Sequence, residues 1–300
     1  MVAVECREVT KQFRKVTALN QLSCKLETGK IYALLGRNGA GKTTLMNCIC
    51  TRYIQTSGEI LVLEEPVYEN EKVLDEICFM SDEIPAFELK KTDSILKYAA
   101  GFYKKWNYEL EKQLLNLFEL ESDKRYSMLS KGKKTALSIV IGLCSGCQVV
   151  LFDEIYSGLD AVARQQFYDI LLMEQEKNPR TFILSTHLIE EMSGIFTDVV
   201  IMDKGKVILQ AGMEEIHERS IKCVGRTDGK DKLAGKNILH VKNMGTLSEF
   251  DIYDHISPEE QKVLSEQGFS FSAMDLQELF IAMTIDNNHN GGGADGAVNG

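Results

Sequence analysis

Along residues 2–28 apolar positions come in short alternating runs: Val2-Ala3-Val4, then Glu8 to Phe13, Ala18-Leu19, and Leu22 to Leu26. Alternation puts every second side chain on one face, so this stretch predicts an antiparallel sheet that ends in the turn Glu27-Thr28-Gly29-Lys30. The apolar run Ile31–Leu35 predicts a strand, a glycine-rich loop follows, and Leu45–Cys50 predicts a helix. Beyond the turn Thr56–Glu59, further strands are predicted at Ile60–Leu63 and Ile77–Met80. The period then changes. Ile95, Leu96, Tyr98, Ala99, Phe102, Leu110, Leu114, Leu115, Leu117 and Phe118 follow helical spacing across residues 92–121, with Thr92 or Asp93 as cap. A second apolar helix opens at Leu129-Ser130-Lys131-Gly132-Lys133-Lys134 and runs through Leu143. Gln148–Phe152 predicts a buried parallel strand, and residues 161–177 predict a helix broken by Asn178-Pro179-Arg180. Thr181–Thr186 predicts another parallel strand, and Asp203-Lys204-Gly205-Lys206 the turn of a hairpin.

Strands alternating with helices indicate the α/β class: a parallel core, an N-terminal antiparallel β-subdomain and a helical subdomain inserted at about residues 84–146. At 300 residues and 44% hydrophobic content the chain supports one large domain, residues 1–213. A small α/β appendage is expected over residues 214–285, with a last amphipathic helix near Leu276, Leu279, Phe280 and Met283. The Asn/Gly-rich residues 286–300 are expected to be disordered. A formal net charge of −10 argues against a nucleic-acid partner, since phosphate backbones are held by clustered Lys and Arg. No apolar run approaches the length of a membrane span and no signal core is present, so a cytoplasmic location is expected. The eight cysteines are then free thiols; Cys144 and Cys147 lie in an apolar helical run with no second pair to complete a zinc site.

The densest chemistry lies at Gly36-Arg37-Asn38-Gly39-Ala40-Gly41-Lys42-Thr43-Thr44. A GxxxxGK[ST] loop between strand and helix is the context of a phosphate-binding P-loop. Glycines allow backbone N–H groups to turn inward around a phosphate, and Lys42 adds a point charge toward the β- and γ-phosphates. The Thr43 hydroxyl suits a Mg²⁺ ligand, and Thr44 at the helix start faces the α-phosphate. Asp153 and Glu154 close the strand at 148–152. The first suits water-mediated Mg²⁺ binding and the second the orientation and deprotonation of a water for in-line attack. His187 and Asp82 also follow predicted strands, at the end where ligands bind in such sheets. Asp82 is a candidate for Mg²⁺ or the attacking water, or else a solvated loop acid. Phe13 either stacks on adenine or belongs to the core. Three lysines at the start of the helix after Ser130 oppose the helix dipole, which suggests an anionic ligand there, or a solvated cluster.

Together GRNGAGKTT, LSKGKK, VVLFDE, SGLD and STH, in this order and spacing, resemble the ATP-binding cassette ATPases, which are P-loop NTPases with a RecA-like core. Residues 153–164, the Pro179-Arg180 turn and Ser185–Glu191 look like the YtrB-like branch of bacterial exporter ATP-binding subunits. The resemblance is strong over residues 1 to about 212 and weak at Asp275–Ile281. It implies ATP and Mg²⁺ as cofactors, Phe13 on adenine, Glu154 as catalytic base and His187 on the γ-phosphate. It implies Ser130 and Gly132 closing over ATP held by an opposite subunit, and Asp160 of the SGLD turn is a further candidate for nucleotide binding. The partners implied are a second cassette subunit, identical or not, and an integral-membrane permease, with the chain on the inner face of the cell membrane. Three segments depart from the family pattern. LSGGQ is Leu129-Ser130-Lys131-Gly132-Lys133, the usual glutamine is Asp82, and Ile155-Tyr156 replace proline and threonine after Glu154. A soluble cassette ATPase acting on ribosomes or nucleic acid is the alternative. A small-molecule kinase with a P-loop leaves the signature and SGLD segments without a role.

Overall fold

In the computed structural model, which describes residues 1–82, 84, 87–156 and 158–285, strands β1 (Val2–Phe13) and β2 (Val16–Glu27) are each continuous. The broken alternation predicts shorter pieces; the register explains the difference. Pairing slips between Cys6 and Val9 and between Val9 and Lys11, and Glu8 and Gln21 adopt φ of 51° and 48°. Such bulges absorb an extra residue, so Val4, Cys6, Val9, Leu19, Leu22 and Leu26 still reach one core. β3 (Ile31–Gly36) and α1 (Lys42–Ile49) flank the glycine loop. β4 (Ser57–Val62) and the short β5 (Glu65–Pro66) complete an antiparallel sheet in the order β2-β1-β4-β5.

α2 (Glu71–Leu74) leads into β6 (Ile77–Ser81). The helical stretch at 92–121 is two helices, α3 (Thr92–Phe102) and α4 (Tyr108–Leu117), parted where Asn107 caps the second by accepting from the Leu110 N–H. Neither Thr92 nor Asp93 caps α3. The N-cap is Lys91, and the N–H groups of Thr92 and Asp93 donate to the carbonyls of Lys124 and Ser122. A tertiary contact thus satisfies the donors that a capping side chain would serve. α5 (Lys131–Cys144), β7 (Val149–Asp153), α6 (Ala161–Lys177), β8 (Thr181–Ser185), α7 (Ile189–Met192), β9 (Asp198–Asp203) and β10 (Lys206–Gly212) follow. The central sheet runs β10-β9-β3-β8-β7-β6; it is parallel from β9 to β6, with β10 antiparallel at one edge. The β9–β10 turn places Lys204 and Gly205 at φ of 47° and 77°, the sign a two-residue hairpin needs.

Between α5 and the sheet, Phe152 stacks on Phe182 at 6.3 Å and meets the edge of Phe167 at 6.0 Å. A Cβ added at Gly142 would lie 2.3 Å from the Phe152 ring, which those neighbours hold in place. Gly142→Ala should therefore destabilise the domain although alanine favours helix by about 1 kcal/mol over glycine. Overpacking of this kind costs roughly 1–3 kcal/mol, so urea unfolding should show a lower midpoint. A raised midpoint would mean that the ring yields freely.

The described chain forms two units by internal contact, Met1–Met213 and a second beginning at Glu214. α8 (Met213–Arg219) leads into β11 (Ser220–Arg226), β12 (Ile238–Met244), β13 (Leu247–Tyr253), α9 (Pro258–Glu266), β14 (Ser270–Ala273) and α10 (Leu276–Thr284). This unit is an antiparallel sheet in the order β12-β13-β11-β14 around Cys223, Phe250, Ile252 and Phe269. Ser257 with Glu260, and Asp275 with Glu278, form reciprocal capping boxes on α9 and α10. The expectation for residues 286–300 lies outside the described residues, as do Glu83 and Ser157. Among the described residues no helix is long and apolar enough to cross a membrane, and no three or more His, Cys, Asp or Glu side chains gather as a metal cage of their own. Cys144 and Cys147 are buried, and burial pushes both thiols well above their ordinary range.

Candidate functional site

The parallel register decides which loops meet. Leu34 pairs with Ser185, Ser185 with Asp153, and Asp153 with Ser81. The C-terminal ends of β3, β8, β7 and β6 are therefore level. The glycine loop, His187, Glu154 and Asp82 all emerge at one edge, where ligands of such sheets bind.

In the loop, Gly39 and Gly41 take φ of 85° and 107°, angles that side chains rarely tolerate, and a Cβ on Gly41 would lie 2.6 Å from the Ala18 carbonyl oxygen. Gly41 is the N-cap of α1; no side chain caps that helix and no acid lies in its first turn. Its first N–H groups and positive dipole end are thus offered to an external anion. Lys42 is buried beside them, its Nζ donating to the Gly36 carbonyl at 2.6 Å, while Arg37, Asn38 and Thr43 are exposed.

Asp153 is buried, and Ser185 Oγ donates to its Oδ1 at 2.5 Å. The same hydroxyl accepts from the Glu154 N–H at 3.1 Å, holding Glu154 in a left-handed conformation with φ of 54°. A non-glycine residue there costs on the order of 1–3 kcal/mol. Its side chain meets His187, with Nδ1 2.6 Å from Oε2. Ser185 is the part of this arrangement that sequence reasoning missed; its only signal was its place just before Thr186 and His187. Thr43 and Asp153 supply the hard oxygen donors that suit Mg²⁺, and the uncapped helix end suits phosphate, so the residues present fit both groups.

Asp82 has a partner from the signature helix: Lys131 Nζ lies 3.9 Å from its carboxylate. The other two lysines of the helix start are also occupied within the chain. Lys133 Nζ donates to the carbonyls of Phe118 and Glu119 just beyond α4, and Lys134 lies over the Tyr126 ring at 5.1 Å. An anionic ligand is not needed to explain the cluster. Ser130 caps α5 by accepting from the Lys133 N–H, and Asp160 caps α6 by accepting from the Ala163 N–H. Ser130, Gly132 and Asp160 line a second cleft of about 600 Å³, which none of residues 36–44 lines. The two departures after Glu154 are core residues: Ile155 and Tyr156 are buried, Tyr156 against Phe167.

Phe13 is 39% exposed and stands edge-on to Tyr53 with centroids 5.2 Å apart. It is not core. Lys11 Nζ lies 4.8 Å from its ring and donates to the Ile54 carbonyl. No local pattern links Tyr53 to Phe13; the pairing of β1 with β4 brings them together.

Residues 19–157 match the family described as ABC transporter. The chain is 25% identical over 287 residues to the ABC transporter ATP-binding protein YtrB of Bacillus subtilis (strain 168), spanning 93% of this chain and 97% of that protein. It is 28% identical over 237 residues to the bacitracin transport ATP-binding protein BcrA of Enterococcus faecalis, spanning 78% and 77%. Among solved structures, an ATP binding subunit of an ABC transporter superposes with a TM-score of 0.65 at 21% identity, over 72% of this chain and 92% of that one.

Proposed function

We infer, on the premise that this chain belongs to the ATP-binding proteins of the ABC transporter family and has the cassette fold, that it is an ATPase driving a membrane transporter. Its pathway is supplied by a separate integral-membrane permease, and export is the direction that the YtrB-like resemblance implies. The chain works in the cytoplasm, peripheral on the inner face of the membrane. It pairs with a second cassette subunit, identical or different.

The α1 N–H groups and Lys42 hold the phosphates of ATP, and the Thr43 hydroxyl with Asp153 holds Mg²⁺, Asp82 standing nearby at the end of β6. The metal supplies charge neutralisation on the phosphate oxygens. Glu154 accepts the proton of the attacking water, and His187, bonded to that carboxylate, keeps it oriented and faces the γ-phosphate. Ser130, Gly132 and Asp160 form the surface that closes over the opposite subunit's ATP. The observation that carries this reading is the level register that puts the loop, Glu154 and His187 on one edge. Affinity purification from detergent-solubilised membranes tests it: a co-purifying permease and Mg²⁺-dependent ATPase activity are expected. Recovery with ribosomes or nucleic acid and no integral protein would favour the non-transport alternative.

Phe13 faces solvent beside Tyr53, so in this reading it contacts adenine equally in ground and transition states. Phe13→Ala should raise KM about threefold to tenfold, the equivalent of a ring contact of roughly 0.5–1.5 kcal/mol, and leave kcat nearly unchanged. Steady-state kinetics would refute this if kcat collapsed with KM unmoved.

A further inference from the structure

Where the chain leaves α1 it turns back along the end of β1, and three residues of that turn are tied down. The Tyr53 N–H donates to the Asn47 carbonyl at 3.1 Å, and the Asn47 side chain in turn donates to the Thr43 carbonyl at 2.7 Å, inside the helix that carries the phosphate-binding lysine. On the other side the Ile54 carbonyl accepts from Lys11 Nζ at 2.6 Å. The Thr56 N–H donates to the Thr10 carbonyl at 2.7 Å, and the Thr56 hydroxyl accepts from the Gln12 N–H at 3.0 Å. The turn that carries Tyr53 is therefore bonded both to the phosphate-binding helix and to the strand that carries Phe13. That strand belongs to the same packed unit as the glycine loop: Lys11 pairs with Leu19, and a Cβ on Gly41 would lie 3.1 Å from Leu19 Cδ2.

The Tyr53 ring is 40% exposed, so the core does not require it. It nevertheless stands edge-on to Phe13, with an interplanar angle of 79°, and Lys11 Nζ lies over both rings, 4.8 Å from the Phe13 centroid and 5.7 Å from that of Tyr53. Edge-to-face rings and a shared cation attract one another through the ring quadrupoles. Phe13 ends β1 opposite Val16, so the sheet fixes its backbone, while its ring is oriented by these contacts. A ring already held in one rotamer has less freedom to lose when a base stacks on it. We propose that Tyr53 is a positioning residue for the nucleotide: it orients the Phe13 ring for adenine, and its bond to Asn47 sets that ring relative to the phosphate-binding helix. This role rests on the reading of Phe13 as the adenine platform.

The full chain is titrated calorimetrically with MgADP, which carries the base, and separately with magnesium pyrophosphate, which offers phosphates alone. Tyr53→Ala should weaken MgADP binding about twofold to tenfold, the fold-change of a lost ring pair, and leave pyrophosphate binding as it is in the parent. Tyr53→Phe keeps the ring and should restore MgADP. In a Phe13→Ala background, itself weakened toward MgADP, Tyr53→Ala should add no further loss, because the two residues act through one contact. Pyrophosphate binding that falls along with MgADP would make Tyr53 a support of α1 and overturn the proposal. So would losses that add in the double variant, or a Tyr53→Ala chain that binds MgADP as the parent does while Phe13→Ala does not. If Phe13→Ala itself leaves MgADP affinity unmoved, the adenine platform is refuted first, and the role of Tyr53 falls with it.

Discussion

Glu154→Gln is expected to bind ATP as the parent does and to hydrolyse it about 10²- to 10⁴-fold more slowly, the range for removal of a general base. Glutamine keeps the length and can still bond to His187, whose Nδ1 lies 2.6 Å from the Glu154 carboxylate. The backbone turn at 154 is held by Ser185 and not by the side chain, so the site should keep its shape. With hydrolysis stalled, ATP should accumulate between two subunits, and size-exclusion chromatography should detect a species of twice the mass. Whether Ser130 completes the site from the opposite subunit is then testable. Gly132 is a poor place to intervene, because a Cβ there would lie 2.8 Å from the Gly158 carbonyl oxygen and disturb the chain's own packing. Ser130→Asp is cleaner: aspartate caps a helix as well as serine does, yet it sets a carboxylate against the opposite phosphate. The double variant should bind ATP as a monomer. Persistence of the dimer would remove Ser130 from the composite site, and a single variant that stays monomeric would point to a different cassette subunit as the partner.

Lys42→Ala should lose tight nucleotide binding. The Lys42 ammonium lies buried at the base of the loop, 2.6 Å from the Gly36 carbonyl, where solvent does little to screen its pull on phosphate. A charge-assisted hydrogen bond contributes roughly 1.5–3 kcal/mol, so affinity should fall about tenfold to a hundredfold or more. Stability should change little, because Leu45, Met46 and Ile49 anchor α1 in the core and are untouched. Calorimetric titration with ATP checks the first expectation and thermal unfolding the second. Unaltered affinity in a folded variant would refute the assignment of the loop.

Much of this protein is legible in the chain because its signals are local. The glycine loop needs only a strand before it and a helix after it, and residues 31–49 contain all three. The two acids closing the 148–152 strand, the helix at 161–177 and the hairpin at Asp203–Lys206 likewise rest on neighbours within one element or turn. What the tertiary structure decided depends on register and on contacts between distant segments, for which periodicity carries no information. Bulges at Glu8 and Gln21 keep β1 and β2 whole where alternation suggests breaks. The backbone at 122–124 satisfies the start of α3, so the expected caps are not used. Phe13 gains Tyr53 from across the sheet, and the three lysines after Ser130 each find a partner in another segment, which no dipole argument could foresee. The chain alone named Asp153, Glu154 and His187 as candidates. Only the alignment of β7 with β8 puts the Ser185 hydroxyl between Asp153 and the Glu154 backbone and brings His187 onto the Glu154 carboxylate, because parallel neighbours more than thirty residues apart meet through the sheet and not through sequence.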